Sequence, residues 1–338
     1  MQAPPARGGL GQRDRSRASN ASWAPVDKCF VEMDTLTTAN GRLLNEILHC
    51  HRQWIDGGSE HLRCVLDGET LNEAQLQGVR LRGAILKGTT FLDADLTGAD
   101  LSEAILEAAD FERAILSGSD FNHAQVSETQ FSEAWLTTAV LSDANFRAVN
   151  FRKAQLRDSR CQGVVMEGCK LCGAILDAAS FHHARLGSCD FSESEFNHAE
   201  FYGAHLRACR FILCYGVSAN FSNARLKSCD FAKADLSSAK FSRADFGASQ
   251  FDRAVLADAD FRHADLTGAN FSRSDLSNAH FGGAKLFAAD LRAANLTGAH
   301  ELTAAHLTQA RTDEATILPN GSKGPYRRYS GAERPVLV

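Results

Sequence analysis

Proline is scarce in this chain, with 6 in 338 residues, and so are tyrosine (4) and tryptophan (3). No run of about 18 apolar residues occurs, so no membrane span is expected. The N-terminus carries Arg7, Arg13, Arg15 and Arg17 without an apolar core beside them, which excludes an ordinary secretory signal. An Arg- and Ser-bearing, acid-poor start also suits an organellar transit peptide, a reading that nothing else in the chain supports. There is no Gly-rich phosphate loop, and no Ser-His-Asp or Cys-His arrangement stands out. Ten cysteines at irregular overall spacing, with no signal, point to free thiols in a reducing compartment, hence a cytoplasmic protein.

What the chain has in excess is phenylalanine, 21 residues, and it has them in order. Stepping by five from Leu66 to Leu296 gives 47 positions, of which 24 are Leu and 19 are Phe; the exceptions are Val126, Cys161, Met166 and Gly216. Two residues before each centre stand 30 Ala, 6 Cys, 5 Ser, 3 Val, 2 Thr and Glu69. One extra residue enters near His300–Glu301, after which the frame resumes at Leu302 and Leu307 and fades through Thr312 to Ile317. A period of five suits neither a helix nor a flat strand. A small and a large apolar residue two apart point the same way only in extended backbone. The chain must then turn before the next pair, and such a path closes into a coil.

Runs such as Ala94-Asp95-Leu96-Thr97-Gly98, Ala99-Asp100-Leu101-Ser102-Glu103 and Ala264-Asp265-Leu266-Thr267-Gly268 resemble the A-(D/N)-L-x-x motif of pentapeptide-repeat proteins. The resemblance covers roughly residues 64–317. It implies an all-β solenoid, a right-handed quadrilateral β-helix with four pentapeptides, or 20 residues, per coil. The residues support that coil length independently. In the column of centres from Leu71 to Leu291, 9 of 12 are Phe; in the column from Leu76 to Leu296, 10 of 12 are Leu. A repeat of five alone does not segregate Leu from Phe, whereas stacked walls do. At a strand spacing of about 4.8 Å, nearly twelve coils make a rod roughly 55–60 Å long.

A solenoid needs caps. Leu43, Leu44, Ile47, Leu48, Trp54 and Ile55 share one helix face, with Asn40 as N-cap and Gly57-Gly58 as stop, so residues 41–56 should form a helix over the first coil. The expected division is a disordered segment 1–26, a helical cap 27–63, the repeat rod 64–317 and a flexible tail 318–338 after the turn signal Leu318-Pro319-Asn320-Gly321.

Two clusters invite a chemical reading. Cys169, Cys189, Cys209 and Cys229 are spaced by 20 and should stack in one column. A metal or redox ladder is one reading; a small apolar residue at a tight inward slot is the other, and free Cys fills such slots well. Cys172, three residues after Cys169, should point outward. His49, Cys50, His51, His61 and Cys64 suggest zinc, but His49 and His51 lie on nearly opposite sides of a helix, and incidental histidines in a capping segment explain them better. No cofactor is expected, and a filled interior offers no cleft for catalysis.

Function must then reside on the outer walls. Residues 64–143 hold 14 acidic and 4 basic side chains, a net of −10; residues 144–229 hold 7 and 11, a net of +4; residues 230–317 hold 12 and 9, a net of −3. Ile115 and Trp135 should stack on one wall, and Ile85 and Ile105 on another. Around Tyr215 the run Ile212–Val217 breaks the motif, either as a partner site or as a bulge in which Leu213 or Tyr215 turns inward to fill the gap at Gly216. The expectation is a non-catalytic protein–protein interaction scaffold that binds neither membrane nor nucleic acid. A DNA mimic acting on a type II topoisomerase, as the family includes, and a secreted bacterial effector are the alternatives.

Overall fold

The computed structural model describes residues 36–38 and 41–335. Residues 1–26 and the cap expected at Asn40 lie outside these. The architecture is a parallel β-solenoid. Seven three-residue strands, β1 (Ile105–Glu107), β2 (Gln125–Ser127), β3 (Asn145–Arg147), β4 (Val165–Glu167), β5 (Arg185–Gly187), β6 (His205–Arg207) and β7 (Arg225–Lys227), pair in sequence order as one sheet. Each pairs with the next at a register of 20 residues, as Leu106 with Val126 and Leu206 with Leu226. Single bridges carry that register along four walls, from Val65–Ile85 to His280–His300.

Each pentapeptide makes one side of the square. The central Leu or Phe and the small residue two before it are buried throughout, while the residue between them faces out. The fifth residue turns the chain with φ near +60°. Glycine takes this role without strain at Gly68 and Gly98, but Glu73 (58°) and the β-branched Thr138 (59°) adopt it as well. The motif's Asp or Asn secures the turn: Oδ1 of Asp95 accepts the backbone N–H of Thr97 at 2.9 Å, and Asp190, Asn220 and Asp265 hold Ser192, Ser222 and Thr267 likewise. Part of the acid on the outer walls therefore serves as local turn capping.

Phenylalanines stack ring on ring at the coil spacing. Phe91, Phe111, Phe131 and Phe151 follow one another at 4.6, 5.0 and 5.1 Å, and Phe191, Phe211, Phe231 and Phe251 at 4.7, 4.7 and 4.9 Å. Gly216 leaves a vacancy in the Leu column, and the bulge expected there does not form. Leu213 and Tyr215 stay outside, while the Phe196 ring from the coil before occupies the space, so that a Cβ at Gly216 would fall inside it.

The caps differ in detail from expectation. Helix α1 spans Leu44–Ile55 and starts three residues late, because Thr37 and Leu43 first form an antiparallel bridge around a turn at Gly41. Leu44, Ile47, Leu48 and His51 are its buried face. At the other end Leu307 is not a repeat centre. It is the buried residue of a short helix α2 (Ala304–Gln309), whose first turn is held by a reciprocal Thr303–His306 capping box. The register then resumes displaced, with Asp290 opposite Arg311 and Asn295 opposite Ile317. Residues 318–335 run over the last coil rather than away from it: Leu318 and Ala332 are buried, and Tyr326 donates to Glu333 at 3.1 Å.

Candidate functional site

The two sequence clusters resolve into structural roles. In the cap, Nδ1 of His51 accepts the N–H of Cys64 at 3.0 Å, and its ring lies on that of Trp54 at 5.2 Å. Trp54 donates to Glu60 at 2.9 Å and carries the Arg63 guanidinium on its face, while Arg63 Nε donates to the Gly83 carbonyl at 2.6 Å. Trp54 lies so close to the backbone at Gly83 that a Cβ there would sit 2.7 Å from the ring. His49 contacts Gln53 instead. The five His and Cys side chains do not converge, and burial pushes the Cys64 thiol up to about 12. Burial likewise lowers the His51 imidazole below its ordinary value. Among the described residues no group of three or more His, Cys, Asp or Glu side chains is arranged to hold a metal ion.

The cysteine column has a hydrogen-bonding task. Where a repeat turns tightly, the N–H three residues after the centre donates back to the centre's carbonyl, as Ala139 does to Leu136 at 3.0 Å. After β1–β7 the chain stays extended one residue longer and this bond is not made. In most of these coils a polar side chain of the next coil faces the freed N–H: Cys169 that of Val149, Cys209 that of Cys189 and Cys229 that of Cys209, whereas the apolar Val149 faces that of Thr129. Ser249 Oγ takes that of Cys229 at 3.1 Å. The same groups donate to strand carbonyls: Cys169 to Phe146 at 3.5 Å, Cys189 to Met166 at 3.6 Å and Cys209 to Leu186 at 3.4 Å, with Thr129 bonding Leu106 and Ser249 bonding Leu226. A buried N–H without a partner costs about 1–3 kcal/mol, which alanine at these slots would leave unmet. The mutual hydrogen bonds of the column push the Cys189 and Cys229 thiols up and those of Cys169 and Cys209 down, so the structural role of the column rests on its burial and its bonds to strand carbonyls. Cys172 faces outward and is half-buried, as expected.

The walls carry the exposed features. The structure brings Ile115, Trp135 and Tyr215 into one column, bridged in order through Gln155, Ile175 and Glu195 and continued by Asp235 to Val255. Trp135 is 41% exposed and Tyr215 54%, and Leu213 stands exposed beside Tyr215. Ile85 and Ile105 belong to another column, on the wall of β1–β7, and are half-buried. Columns ten residues apart lie on opposite sides of a four-sided coil, so the two apolar pairs face away from each other. Sequence reading separated Tyr215 from Trp135 by treating the former as a motif break; their difference of 80 residues, four full coils, was the signal that joins them. It did not single out Ile175 and Val255, which follow the same arithmetic.

No curated protein matches the chain. Residues 104–181 and 179–261 match a family model described as a pentapeptide repeat region, and residues 74–113, 254–292 and 274–311 one described as pentapeptide repeats (8 copies). Among solved structures, the chain is similar to HetL, a pentapeptide repeat protein involved in heterocyst differentiation regulation from the cyanobacterium Nostoc sp., with 24% identity over 80% of this chain and 96% of that one and a TM-score of 0.26. It is also similar to QnrB1, a plasmid-mediated fluoroquinolone resistance protein, with 20% identity over 56% of this chain and 91% of that one and a TM-score of 0.24. A pentapeptide repeat protein from the Arabidopsis thaliana thylakoid lumen shows 24% identity over 36% of this chain and 68% of that one, with a TM-score of 0.18.

Proposed function

The chain belongs to the pentapeptide-repeat family, and on that premise we propose that it is a non-catalytic scaffold that presents flat walls to a protein partner. The observation that carries this reading is the column Ile115–Trp135–Ile175–Tyr215–Val255. Large apolar side chains recur there at outward positions over several coils, with an indole and a phenol that stand well clear of the wall. Aromatic side chains on a rigid platform give contact area at small entropic cost, and Trp and Tyr dominate interface energetics. The interior supports the same conclusion, since the slots that could line a cleft are filled by Leu, Phe and Ala. The free thiols at nine described positions suit a cytoplasmic setting.

The test is capture of partners from a lysate by the wild type and by a Trp135→Ser/Tyr215→Ser variant. The scaffold reading expects one or more proteins retained by the wild type and lost from the variant, with circular dichroism unchanged. Identical captures by both chains would remove this wall from the function. The DNA-mimic reading draws on one feature, the net charge of −10 over residues 64–143. It requires that micromolar protein inhibit supercoiling by gyrase, and the scaffold reading expects no inhibition.

A further inference from the structure

Cations on this rod are commonly answered by carboxylates one coil away or within the same turn. Arg82 pairs with Glu103 at 2.7 Å, Lys87 with Glu107 at 2.8 Å, Arg113 with Asp93 at 2.8 Å and Arg262 with Asp260 at 2.8 Å. Others, such as Arg147, Arg160, Lys240 and Arg243, make no ion pair among the described residues, and the middle of the wall of β1–β7 stacks several such cations together. Arg185, His205 and Arg225 stack in its outward column, and Arg207 and Lys227 in the column beside it. Arg185, Arg207 and Arg225 are exposed and make no ion pair among the described residues, and Lys227 reaches only Asp245, at 4.0 Å. Stacking like charges at a spacing of about 4.8 Å is unfavourable, and the sequence could relieve it with the carboxylates it uses elsewhere.

The same place is hollowed. Gly187 stands where neighbouring coils carry Glu167 and Arg207, and it has ordinary negative φ, so the turn does not demand glycine. Its missing side chain opens a depression of about 330 Å³ lined by Val165, Glu167, Arg185, His205, Arg207 and Arg225. The one carboxylate there, Glu167, lies over Gly187, where a Cβ would otherwise be. It shows that a carboxylate fits the hollow, although it forms no ion pair with the surrounding guanidinium groups.

We propose that this basic depression on the wall of β5–β7 binds a short acidic segment of a partner protein. The extent of the patch selects the ligand. Three coils span about 10 Å between outer strands, which three or four extended acidic residues cover at about 3.3 Å each. A long polyanion would overrun it, towards Asp245 and Asp265 on one side and, on the other, towards Glu167 and the uncharged positions Val165, Asn145 and Gln125. His205 supports this arrangement: burial and then the charges of Arg225 and Arg185 hold its imidazole below the ordinary value, so the charge resides on Arg and Lys and persists above neutral pH.

The proposal rests on the scaffold reading only in taking the partner to be a protein. Its test is fluorescence anisotropy of a fluorescein-labelled octaglutamate peptide titrated with the full chain. Saturable binding that weakens as salt rises is expected. The Arg185→Gln/Arg207→Gln/Arg225→Gln variant should bind at least tenfold more weakly. Arg160→Gln/Lys240→Gln/Arg243→Gln removes the same charge from other exposed positions and should bind within twofold of wild type. Absence of saturable binding by the wild type, equal weakening by both variants, or tighter binding of single-stranded DNA or phosphatidylserine vesicles would overturn it. None of these variants touches Trp135 or Tyr215, so failure here leaves the aromatic wall standing, and failure of that wall leaves this result readable.

Discussion

Gly216 and Phe196 form a size-compensating pair, and a double-mutant cycle tests whether columns twenty residues apart pack as one unit. Both depart from a column that is otherwise leucine, and they sit one coil apart. Gly216→Leu puts a side chain into space held by the buried Phe196 ring, an overpacking worth about 1–3 kcal/mol. Phe196→Leu shrinks the ring away from a position with no side chain beyond it, and loses edge-on contacts to Phe201, Phe211 and Phe221 at 5.8, 5.5 and 6.1 Å. The cavity and the lost aromatic contacts together cost about 1–2 kcal/mol. The double variant restores leucine at both levels and should lie within about 1 kcal/mol of wild type, which makes the coupling about 2 kcal/mol. Equilibrium urea unfolding followed by circular dichroism measures all four proteins, with the comparison confined to variants of equal slope. Additive single-variant costs would refute the reasoning, because they would mean that Phe196 does not fill the space of Gly216.

Cys209→Ser should be tolerated within about 1 kcal/mol while Cys209→Ala costs about 1–3 kcal/mol in urea unfolding, since serine retains an acceptor for the Cys189 N–H and alanine does not. Thr138, a β-branched residue at φ 59°, should gain about 0.5–1 kcal/mol on replacement by glycine, read as a raised thermal midpoint. The His51 imidazole is held below its ordinary 6.5 by burial, so as pH falls through 6.5 the unfolded chain takes up a proton first. Stability of the cap is therefore complete above that pH and declines below it. In a Trp23→Phe/Trp135→Phe background, which leaves Trp54 as the one indole, fluorescence during urea unfolding at pH 7.5 and pH 5 should show a loss that His51→Asn, which keeps an acceptor for Cys64 N–H, reduces. Gly83→Ala should loosen the same cap, because the new methyl meets the Trp54 ring and the residue sits at φ 66°; the expected sign is a red-shifted Trp54 emission in that background.

By itself the order of residues determined the coil. Leu and Phe at every fifth place, Ala two before, and the sorting of Leu from Phe at twenty set the period, the inward faces and the parallel register, because each coil repeats the same local geometry and needs no distant information. It also placed Ile115, Trp135 and Tyr215 on common arithmetic, although not their exposure. What tertiary structure alone decided lies wherever the repeat is broken or two coils must share space. The cysteines hydrogen-bond because the turns after β1–β7 are wider than the others, and five-residue periodicity does not encode turn width. Leu307 entered a helix because the extra residue near His300–Glu301 breaks the five-residue frame and the Thr303–His306 capping box starts a helical turn there. Gly216 was filled from the coil before, since a vacancy in a close-packed stack is met by whichever neighbour is large enough to reach it.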